Sequence, residues 1–250
     1  MQYKNILITG VTAGFGLSML ESLSKEGYHV IGCGRRKDRL DELQQQYKNV
    51  TNFEVDVSDH ASVEKFAQEL KKQNIEPDVI INNAGLALGM NPADQCTLSD
   101  WETMIDTNIK GTLYITHAFL NGMRERNFGY VMNIGSIAGA TPYPGGNTYS
   151  STKAFVAQFT KNLKCDLLGS NVKVTCIEPG IAETEFSIVR FSGDQSRAKK
   201  VYEGLDSLKG EDIADIVKWL LKTPPHVNVN AMQIMPVGQA WGPFVYNRQQ

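Results

Sequence analysis

Short apolar runs alternate along this chain with longer segments of helical periodicity, and this alternation restricts the fold more than any other feature. The runs are hydrophobic at consecutive positions, as in Asn5-Ile6-Leu7-Ile8-Thr9. Strands that are buried on both faces are typical of parallel sheets covered by helices. The sequence therefore predicts an α/β fold with a single doubly wound, Rossmann-type parallel sheet and helices on both faces. The predicted strands are 6–9, 29–32, 52–55, 78–82, 130–134 and 172–177, and the predicted helices are 14–25, 38–47, 62–73, 99–126 and 149–168.

Length and composition favour one domain and exclude several classes of function. A chain of 250 residues without repeats, low-complexity blocks or linkers predicts a single domain over residues 1–250. A net charge of −2 and a pI near 6.1 give no general attraction to nucleic acid or to an anionic membrane. The uncharged stretch 127–152 contains glycine and proline, which excludes a membrane helix there.

The cysteines and the start of the chain indicate a cytoplasmic protein. The four cysteines form no C-x-x-C pair, and the chain enters its first strand without the features of a secretory signal. None of the four histidines has a partner at metal-ligand spacing, so we expect no metal site.

A glycine-rich loop follows the first predicted strand and opens directly into the first helix, with the pattern T-G-x-x-x-G-x-G. Glycines permit a tight turn and let the backbone approach a pyrophosphate, whose charge then meets the helix N-terminus. The same pattern occurs in purely structural turns, but its position after the first strand of a β-α series favours a dinucleotide site. The loop residues expected to contact a cofactor are Gly10, Thr12, Ala13, Gly14, Phe15 and Gly16.

Two arginines follow the second predicted strand, where folds that bind NAD often carry an acidic residue for the ribose 2′-hydroxyl. Arg35 and Arg36 occupy this place. Guanidinium groups bind a 2′-phosphate through charge-assisted hydrogen bonds worth about 1.5–3 kcal/mol each. The sequence therefore predicts NADP(H) as the cofactor, with a solvated basic turn as the alternative.

Further candidate cofactor residues follow three other strands. A carboxylate and its neighbour after the third strand can hold an adenine edge, and small residues after the fourth let a cofactor lie against the backbone. The fourth-strand sequence also fits an ordinary turn. A proline-glycine turn after the sixth strand is placed to bracket the nicotinamide amide and the phosphates. These candidates are Asp56, Val57, Asn83, Ala84, Gly85, Pro179, Gly180, Ile181 and Thr184.

Tyr149 and Lys153 form the candidate chemical centre, with Ser136 upstream. A spacing of four on a helix places the phenol and the ammonium on one face. A free tyrosine titrates near pH ~10 and is a poor base at neutrality. An ammonium ~5 Å away at an effective dielectric of ~20 favours the phenolate by roughly 3 kcal/mol, so we expect Lys153 to lower the pKa of Tyr149. Tyr-x-x-x-Lys is also a common pattern on helix surfaces, so the pair alone does not decide the function.

Taken together, these motifs resemble the short-chain dehydrogenase/reductase family in order and spacing over nearly the whole chain. The resemblance implies an oxidoreductase in which Tyr149 is the acid–base and Lys153 lowers its pKa and holds the nicotinamide ribose. It implies that Ser136 orients the substrate oxygen and that Asn108 holds a water beside Lys153. A kinked or capped helix is the alternative reading of Asn108.

A narrower resemblance, carried by segments 83–90, 100–108, 184–186 and 189–191, is to the bacterial NADP-dependent 3-hydroxy acid dehydrogenases, also described as L-allo-threonine or serine dehydrogenases. It implies a small 3-hydroxy acid substrate of the serine, L-allo-threonine, 3-hydroxyisobutyrate or 3-hydroxypropionate type. The loop after Gly180 is one residue shorter than in these relatives and carries a glutamate, which bears on the fine substrate preference.

The substrate end of the site is expected in the segment 181–208, which the resemblance identifies as a lid. Arg190 is a candidate clamp for a substrate carboxylate, and a solvated loop arginine is the alternative. Tyr143 and Asn147 are candidates for lining the pocket, with simple loop packing as their alternative.

The resemblance also implies a homotetramer, with the C-terminal tail 241–250 packed on a neighbouring subunit. The alternative is that the apolar faces of the long helices only fill the monomer core and that the tail frays. Two other functions stay open: reduction of another carbonyl substrate, such as a 3-oxoacyl group or a sugar, and a non-enzymatic NADP sensor. A sensor has no need for the set Tyr149, Lys153, Ser136 and Asn108.

Overall fold

A computed structural model describes residues 2–242 and contains a seven-stranded sheet in the order β3-β2-β1-β4-β5-β6-β7. All neighbouring strands are parallel. The predicted doubly wound α/β fold is confirmed. The strands are β1 (Asn5–Thr9), β2 (His29–Gly34), β3 (Val50–Glu54), β4 (Val79–Asn82), β5 (Gly129–Ile134), β6 (Val172–Pro179) and β7 (Ala231–Ile234).

Helices connect these strands and cover both faces of the sheet. Residues 106–110 form a π-helical turn between the fourth and fifth of the helices named here. The helices are α1 (Gly14–Lys25), α2 (Lys37–Gln46), α3 (His60–Lys72), α4 (Leu98–Ile105), α5 (Gly111–Glu125), α6 (Asn147–Asp166), α7 (Phe186–Arg190), α8 (Gln195–Tyr202) and α9 (Gly210–Leu221).

The apolar runs are continuous because each strand faces a core on both sides. Ile6 and Ile8 of β1 are fully buried in the core that also contains residues of α1 and α9. Leu7, which points the other way, is fully buried in the core that contains residues of α3, α5 and α6. Since side chains alternate along a strand, this arrangement requires hydrophobic residues at consecutive positions.

The helix predicted over 99–126 differs from the structure. It begins after Thr97, whose side chain accepts a hydrogen bond from the backbone N–H of Asp100 at 3.1 Å. The π-helical turn then divides it into α4 and α5. Asn108 lies in this turn, where the regular α-helical hydrogen-bond pattern is interrupted.

Strand order reverses between β1 and β4, and this position fixes where a ligand binds. From β1 the chain proceeds outward to β3, then returns to β4 beside β1 and proceeds outward to β7. Open parallel sheets bind ligands beyond the carboxyl ends of the strands at such a reversal.

Within residues 2–242, every helix is too short or too polar to cross a bilayer. The same described part of the chain contains no group of three or more side chains that could hold a metal ion. Of the tail predicted over 241–250, residues 243–250 lie outside the described residues.

Candidate active site

One cleft of about 780 Å³ lies at the carboxyl ends of the central strands. Cavities of this size are typical of small-molecule and cofactor sites. The predicted residues Gly16, Asn108 and Asn147 lie outside the lining of this cleft. The other predicted residues line it: Gly10, Thr12, Ala13, Gly14, Phe15, Arg35, Arg36, Asp56, Val57, Asn83, Ala84, Gly85, Ser136, Tyr143, Tyr149, Lys153, Pro179, Gly180, Ile181, Thr184 and Arg190.

The glycine-rich loop forms one wall of the cleft. Gly14 begins α1 with φ of +52°, a left-handed conformation that favours glycine. A Cβ on Gly16 would lie 2.2 Å from the carbonyl oxygen of Gly10, so only glycine lets α1 fold back this closely on the loop. Gly16 thus packs beneath the loop, and its predicted contact with a cofactor stays a prediction.

Thr9 ties this loop to the segment after β4. Its buried hydroxyl accepts hydrogen bonds from the backbone N–H groups of Asn83 and Ala84, at 3.0 and 2.9 Å. The side-chain amide of Asn83 donates to the backbone carbonyl of Thr9 at 2.7 Å. These contacts hold the two strand ends together across the point where strand order reverses.

Arg36 occupies the far end of the cleft in a fixed orientation. Its Nε donates to Thr12 Oγ1 at 3.0 Å, and its Nη2 donates to the backbone carbonyl of Thr12 at 2.7 Å. Its Nη1 forms a salt bridge of 3.1 Å with Oε2 of Glu185. Arg35 lies close enough to Asp56 to influence its titration. Burial opposes ionisation of Asp56, but hydrogen bonds from Ser58 and the charge of Arg35 outweigh it and lower the pKa of Asp56.

Tyr149 and Lys153 lie one turn apart near the start of α6, and both line the cleft. Lys153 Nζ is 5.9 Å from the centroid of the Tyr149 ring and donates to the backbone carbonyl of Ile134 at 2.8 Å. Ser136 lines the cleft beside them and forms a hydrogen bond with Tyr149. The predicted placement of the phenol and the ammonium on one helix face is confirmed.

The pKa of Tyr149 is raised in this structure, whereas the sequence predicts that Lys153 lowers it. Burial raises the pKa of Tyr149 to about 12, although the charge of Arg190 and the hydrogen bond with Ser136 lower it. Burial also lowers the pKa of Lys153 to about 8. Desolvation disfavours the charged form of each group, and for Tyr149 it outweighs the charge of Arg190 and the hydrogen bond with Ser136.

Asn108 lies behind the wall of the cleft, where it holds the loop after β4. Its Oδ1 accepts from the backbone N–H of Leu86 at 2.9 Å, and its Nδ2 donates to the Leu86 carbonyl at 2.8 Å and to Thr152 Oγ1 at 3.0 Å. A Cβ built on Gly85 would lie 3.2 Å from Asn108 Oδ1 and 3.5 Å from Lys153 Nζ. Asn108 and Lys153 therefore approach each other across Gly85.

Arg190 lies at the end of α7 and lines the cleft, which contradicts the alternative of a solvated loop arginine. Its Nη2 donates to the Tyr143 hydroxyl at 3.2 Å, and its Cζ is 5.0 Å from the centroid of the Tyr149 ring. Its Nε is buried and has no hydrogen-bond partner among residues 2–242. A buried N–H group without a partner beside the Tyr149 ring is a candidate donor to an anion.

Asn147 lies outside the lining of the cleft, and its predicted role at the substrate end stays a prediction. Its side-chain amide donates to the backbone carbonyl of Asn91 at 3.2 Å and so packs two loops together. Sequence reasoning missed Glu185 and Phe186, which both line the cleft. The Phe186 ring lies 5.5 Å from that of Tyr149. Both residues lie in segment 184–186, which carries the narrower family resemblance, and that resemblance is the sequence signal for them.

Comparison with known proteins agrees with this geometry. The family model described as short chain dehydrogenase matches residues 4–194. The chain belongs to this family. An NADP-dependent 3-hydroxy acid dehydrogenase of Escherichia coli (strain K12) is 47% identical over 246 residues, covering 98% of this chain and 99% of that protein. Sulfoacetaldehyde reductase 2 of Chromohalobacter salexigens is 43% identical over 247 residues, covering 97% of this chain and 98% of that protein.

A solved structure extends the likeness to three dimensions. The closed form of a serine dehydrogenase complexed with NADP+ superimposes with a TM-score of 0.94 at 47% identity, covering 98% of this chain and all of that one. The protein is therefore an NADP-dependent oxidoreductase of the short-chain dehydrogenase family.

Proposed function

We propose that the protein interconverts a small 3-hydroxy acid and its 3-oxo acid or semialdehyde by hydride transfer with NADP(H). The observation that carries this proposal is the guanidinium of Arg190, which lies 5.0 Å from the Tyr149 ring and has a buried N–H group without a partner in the described residues. A carboxylate two bonds from the reacting carbon is the group that such a donor suits. The names of the relatives support the same class, since one is a 3-hydroxy acid dehydrogenase and another a serine dehydrogenase. Within this class we propose serine, L-allo-threonine, 3-hydroxyisobutyrate or 3-hydroxypropionate as the substrate.

The donor set of the cleft fits NADP(H). We infer that Arg35 and Arg36 hold the 2′-phosphate, since both residues line the cleft directly after the second strand. The glycine-rich loop would hold the pyrophosphate, and the turn after β6 would hold the nicotinamide amide, with Asp56 and Val57 at the adenine. When bound, the nicotinamide accepts or supplies the hydride, and the protein supplies position and electrostatics.

The proton is handled by Tyr149. Because the pKa of Tyr149 is raised to about 12, its phenol is protonated at neutral pH and is ready to donate to a carbonyl oxygen during reduction. During alcohol oxidation the same oxygen has to accept the proton. Ser136, which forms a hydrogen bond with Tyr149, would hold the substrate oxygen against the phenol and stabilise the charge that develops there.

Lys153 and Asn108 support this exchange. We infer that Lys153, with its pKa lowered to about 8, binds the nicotinamide ribose and passes protons more readily than an ordinary lysine. Asn108 would hold the loop that carries Gly85 and Leu86 at a fixed distance from Lys153.

The segment 181–208 is proposed as the lid of this site. The centroid of the Phe186 ring lies 5.5 Å from that of the Tyr149 ring, and Arg190 Cζ lies 5.0 Å from the Tyr149 centroid. The segment therefore closes the substrate end of the cleft. Exclusion of water there strengthens the pairing of Arg190 with a carboxylate. We therefore expect a short substrate to be turned over in preference to a long acyl chain.

An oxo sulfonate is a second candidate substrate, because one relative at 43% identity is named a sulfoacetaldehyde reductase. A sulfonate is an anion that the Arg190 guanidinium can also pair with.

A substrate panel with NADP+, NAD+, NADPH and NADH tests both candidates. We expect saturable NADP+ reduction with L-serine, L-allo-threonine or 3-hydroxyisobutyrate. The proposal fails if these acids are inert and a long-chain 3-oxoacyl thioester or a sugar is turned over.

We also propose that the protein is a homotetramer. Phe155 and Phe159 of α6 stack with ring centroids 5.9 Å apart and are only partly buried in the described chain, which supports an apolar contact between subunits. Light scattering coupled to size-exclusion chromatography measures the mass directly, and a monomer would contradict the proposal.

A further inference from the structure

A salt bridge joins the proposed 2′-phosphate site to the proposed lid. Glu185 Oε2 lies 3.1 Å from Arg36 Nη1, although the two residues are 149 positions apart in the chain. Their side chains are 46% and 43% exposed, so a ligand in the cleft can reach the pair. Both residues line the cleft.

The Arg36 guanidinium donates to Thr12 and to Glu185, and of these two partners only Glu185 carries a charge. A guanidinium has five N–H donors, and Thr12 accepts two of those of Arg36 through neutral oxygens. These two hydrogen bonds orient the guanidinium without neutralising it. Within residues 2–242, Glu185 is the one ion-pair partner of Arg36, and its carboxylate occupies a donor that would otherwise face an incoming anion.

The neighbours of Glu185 hold its carboxylate in this position. Thr184 packs on the glycine-rich loop, where a Cβ built on Gly14 would lie 3.4 Å from the Thr184 Cβ. Phe186 packs on Tyr149 at 5.5 Å between ring centroids. Contacts on both sides of Glu185 therefore keep it beside Arg36.

We propose that Glu185 determines how strongly the enzyme prefers NADP(H) over NAD(H), by competing with the 2′-phosphate for Arg36. This inference rests on the proposed placement of the 2′-phosphate at Arg35 and Arg36. A phosphate monoester carries a charge of about −1.5 to −2 at neutral pH. It either displaces the Glu185 carboxylate or shares Arg36 with a like charge, and both outcomes weaken its binding. The 2′-hydroxyl of NAD(H) is uncharged, so the Glu185 carboxylate does not repel it.

The test is Glu185→Gln, which keeps the size of the side chain and removes its charge. Dissociation constants are measured by calorimetry for NADPH and NADH, and for the fragments 2′,5′-ADP and 5′-AMP, which probe the adenosine end alone. We expect NADPH and 2′,5′-ADP to bind about three- to tenfold more tightly, since an exposed ion pair has a modest strength and the phosphate is nearly doubly charged. NADH and 5′-AMP should change by less than about twofold, and the gain should shrink at high salt.

Glu183→Gln is the matched control. It removes the same charge from the same segment, and Glu183 makes no ion pair within the part of the chain that the structure describes. A gain in the control equal to that of Glu185→Gln would mean that only overall charge is involved, which would overturn the proposal. Unchanged or weaker binding of 2′,5′-ADP by Glu185→Gln would overturn it as well.

Arg36→Ala separates this inference from the cofactor site on which it rests. If Arg36→Ala weakens NADPH far more than NADH and Glu185→Gln has no effect in that background, Glu185 acts through Arg36 as proposed. If Arg36→Ala is selective but Glu185→Gln alone changes nothing, the competition is refuted and the phosphate site stands. If Arg36→Ala affects both cofactors equally, the phosphate site itself is refuted, and the inference with it.

Discussion

Replacement of Arg190 by glutamine separates two effects of one guanidinium on the proposed site. Arg190 Nη2 donates to Tyr143 at 3.2 Å, and its Nε is buried without a partner among the described residues. A hydrogen bond to a charged group contributes about 1.5–3 kcal/mol, and ~1.4 kcal/mol corresponds to a tenfold change. Arg190→Gln should therefore lower kcat/KM for a carboxylate substrate by about 10- to 100-fold. A neutral ketone of the same length should lose much less.

The second effect concerns pH. Burial raises the pKa of Tyr149 to about 12, and the positive charge of Arg190 acts against this rise. Removal of that charge should raise the pKa of Tyr149 further. Alcohol oxidation needs the phenolate, so its rate increases with pH and the increase should move to higher pH in Arg190→Gln. Carbonyl reduction uses the protonated phenol, so its rate near neutrality should keep its pH dependence.

The assay is NADPH absorbance in both directions across pH, with the acid substrate and the neutral ketone. Arg197→Gln is the control, because Arg197 belongs to the same segment and stacks on Phe191 at 4.6 Å, outside the cleft lining in the described structure. Equal losses for the acid and the ketone would refute the carboxylate clamp. If the pH dependence of alcohol oxidation does not shift to higher pH in Arg190→Gln, the electrostatic coupling of Arg190 to Tyr149 is refuted.

Three other variants test the remaining parts of the site. Tyr149→Phe keeps the ring that packs on Phe186 but removes the acid–base. Turnover should fall by about 10²–10⁴-fold, while NADPH affinity, measured by fluorescence titration, stays the same. Substantial residual turnover would contradict the acid–base role of Tyr149. Arg35→Asp combined with Arg36→Ala should weaken NADPH far more than NADH in calorimetry, and equal losses would count against the phosphate clamp. Asn108→Ala removes three hydrogen bonds to Leu86 and Thr152 and should lower the free energy of unfolding by about 2–4 kcal/mol in urea; a loss below about 0.5 kcal/mol would show that these contacts are not stabilising.

Much of the fold could be predicted because its signals are local. The consecutive apolar positions of β1 and the helical spacing of α1 report burial and periodicity directly, and α1 begins and ends at the predicted residues. The helix α9 was not predicted, although Ile213, Val217 and Leu221 form an apolar stripe along it that the same reasoning would have found. The sequence signal for the division between α4 and α5 is weaker, because it consists of a single asparagine in a helical run.

The site was less predictable, because its chemistry depends on contacts between distant segments. The loop pattern predicts Gly16 as a cofactor residue, and only the structure shows that a Cβ at this position would collide with the Gly10 carbonyl oxygen. Asn147 stands next to predicted pocket residues in the chain, but its amide reaches Asn91, 56 positions away. Spacing identifies a residue as a candidate, and it does not report the direction in which the side chain points.

The order of residues along this chain is sufficient to define a parallel sheet, a dinucleotide loop at its first strand and a tyrosine and lysine on one helix face, because each of these depends on neighbours a few positions apart. The tertiary structure alone decides that burial raises the pKa of Tyr149 to about 12, that Arg190 lies beside its ring, and that Glu185 pairs with Arg36. The physical reason is that desolvation and charge pairing depend on which groups meet in space, and these groups come from elements that are far apart in sequence.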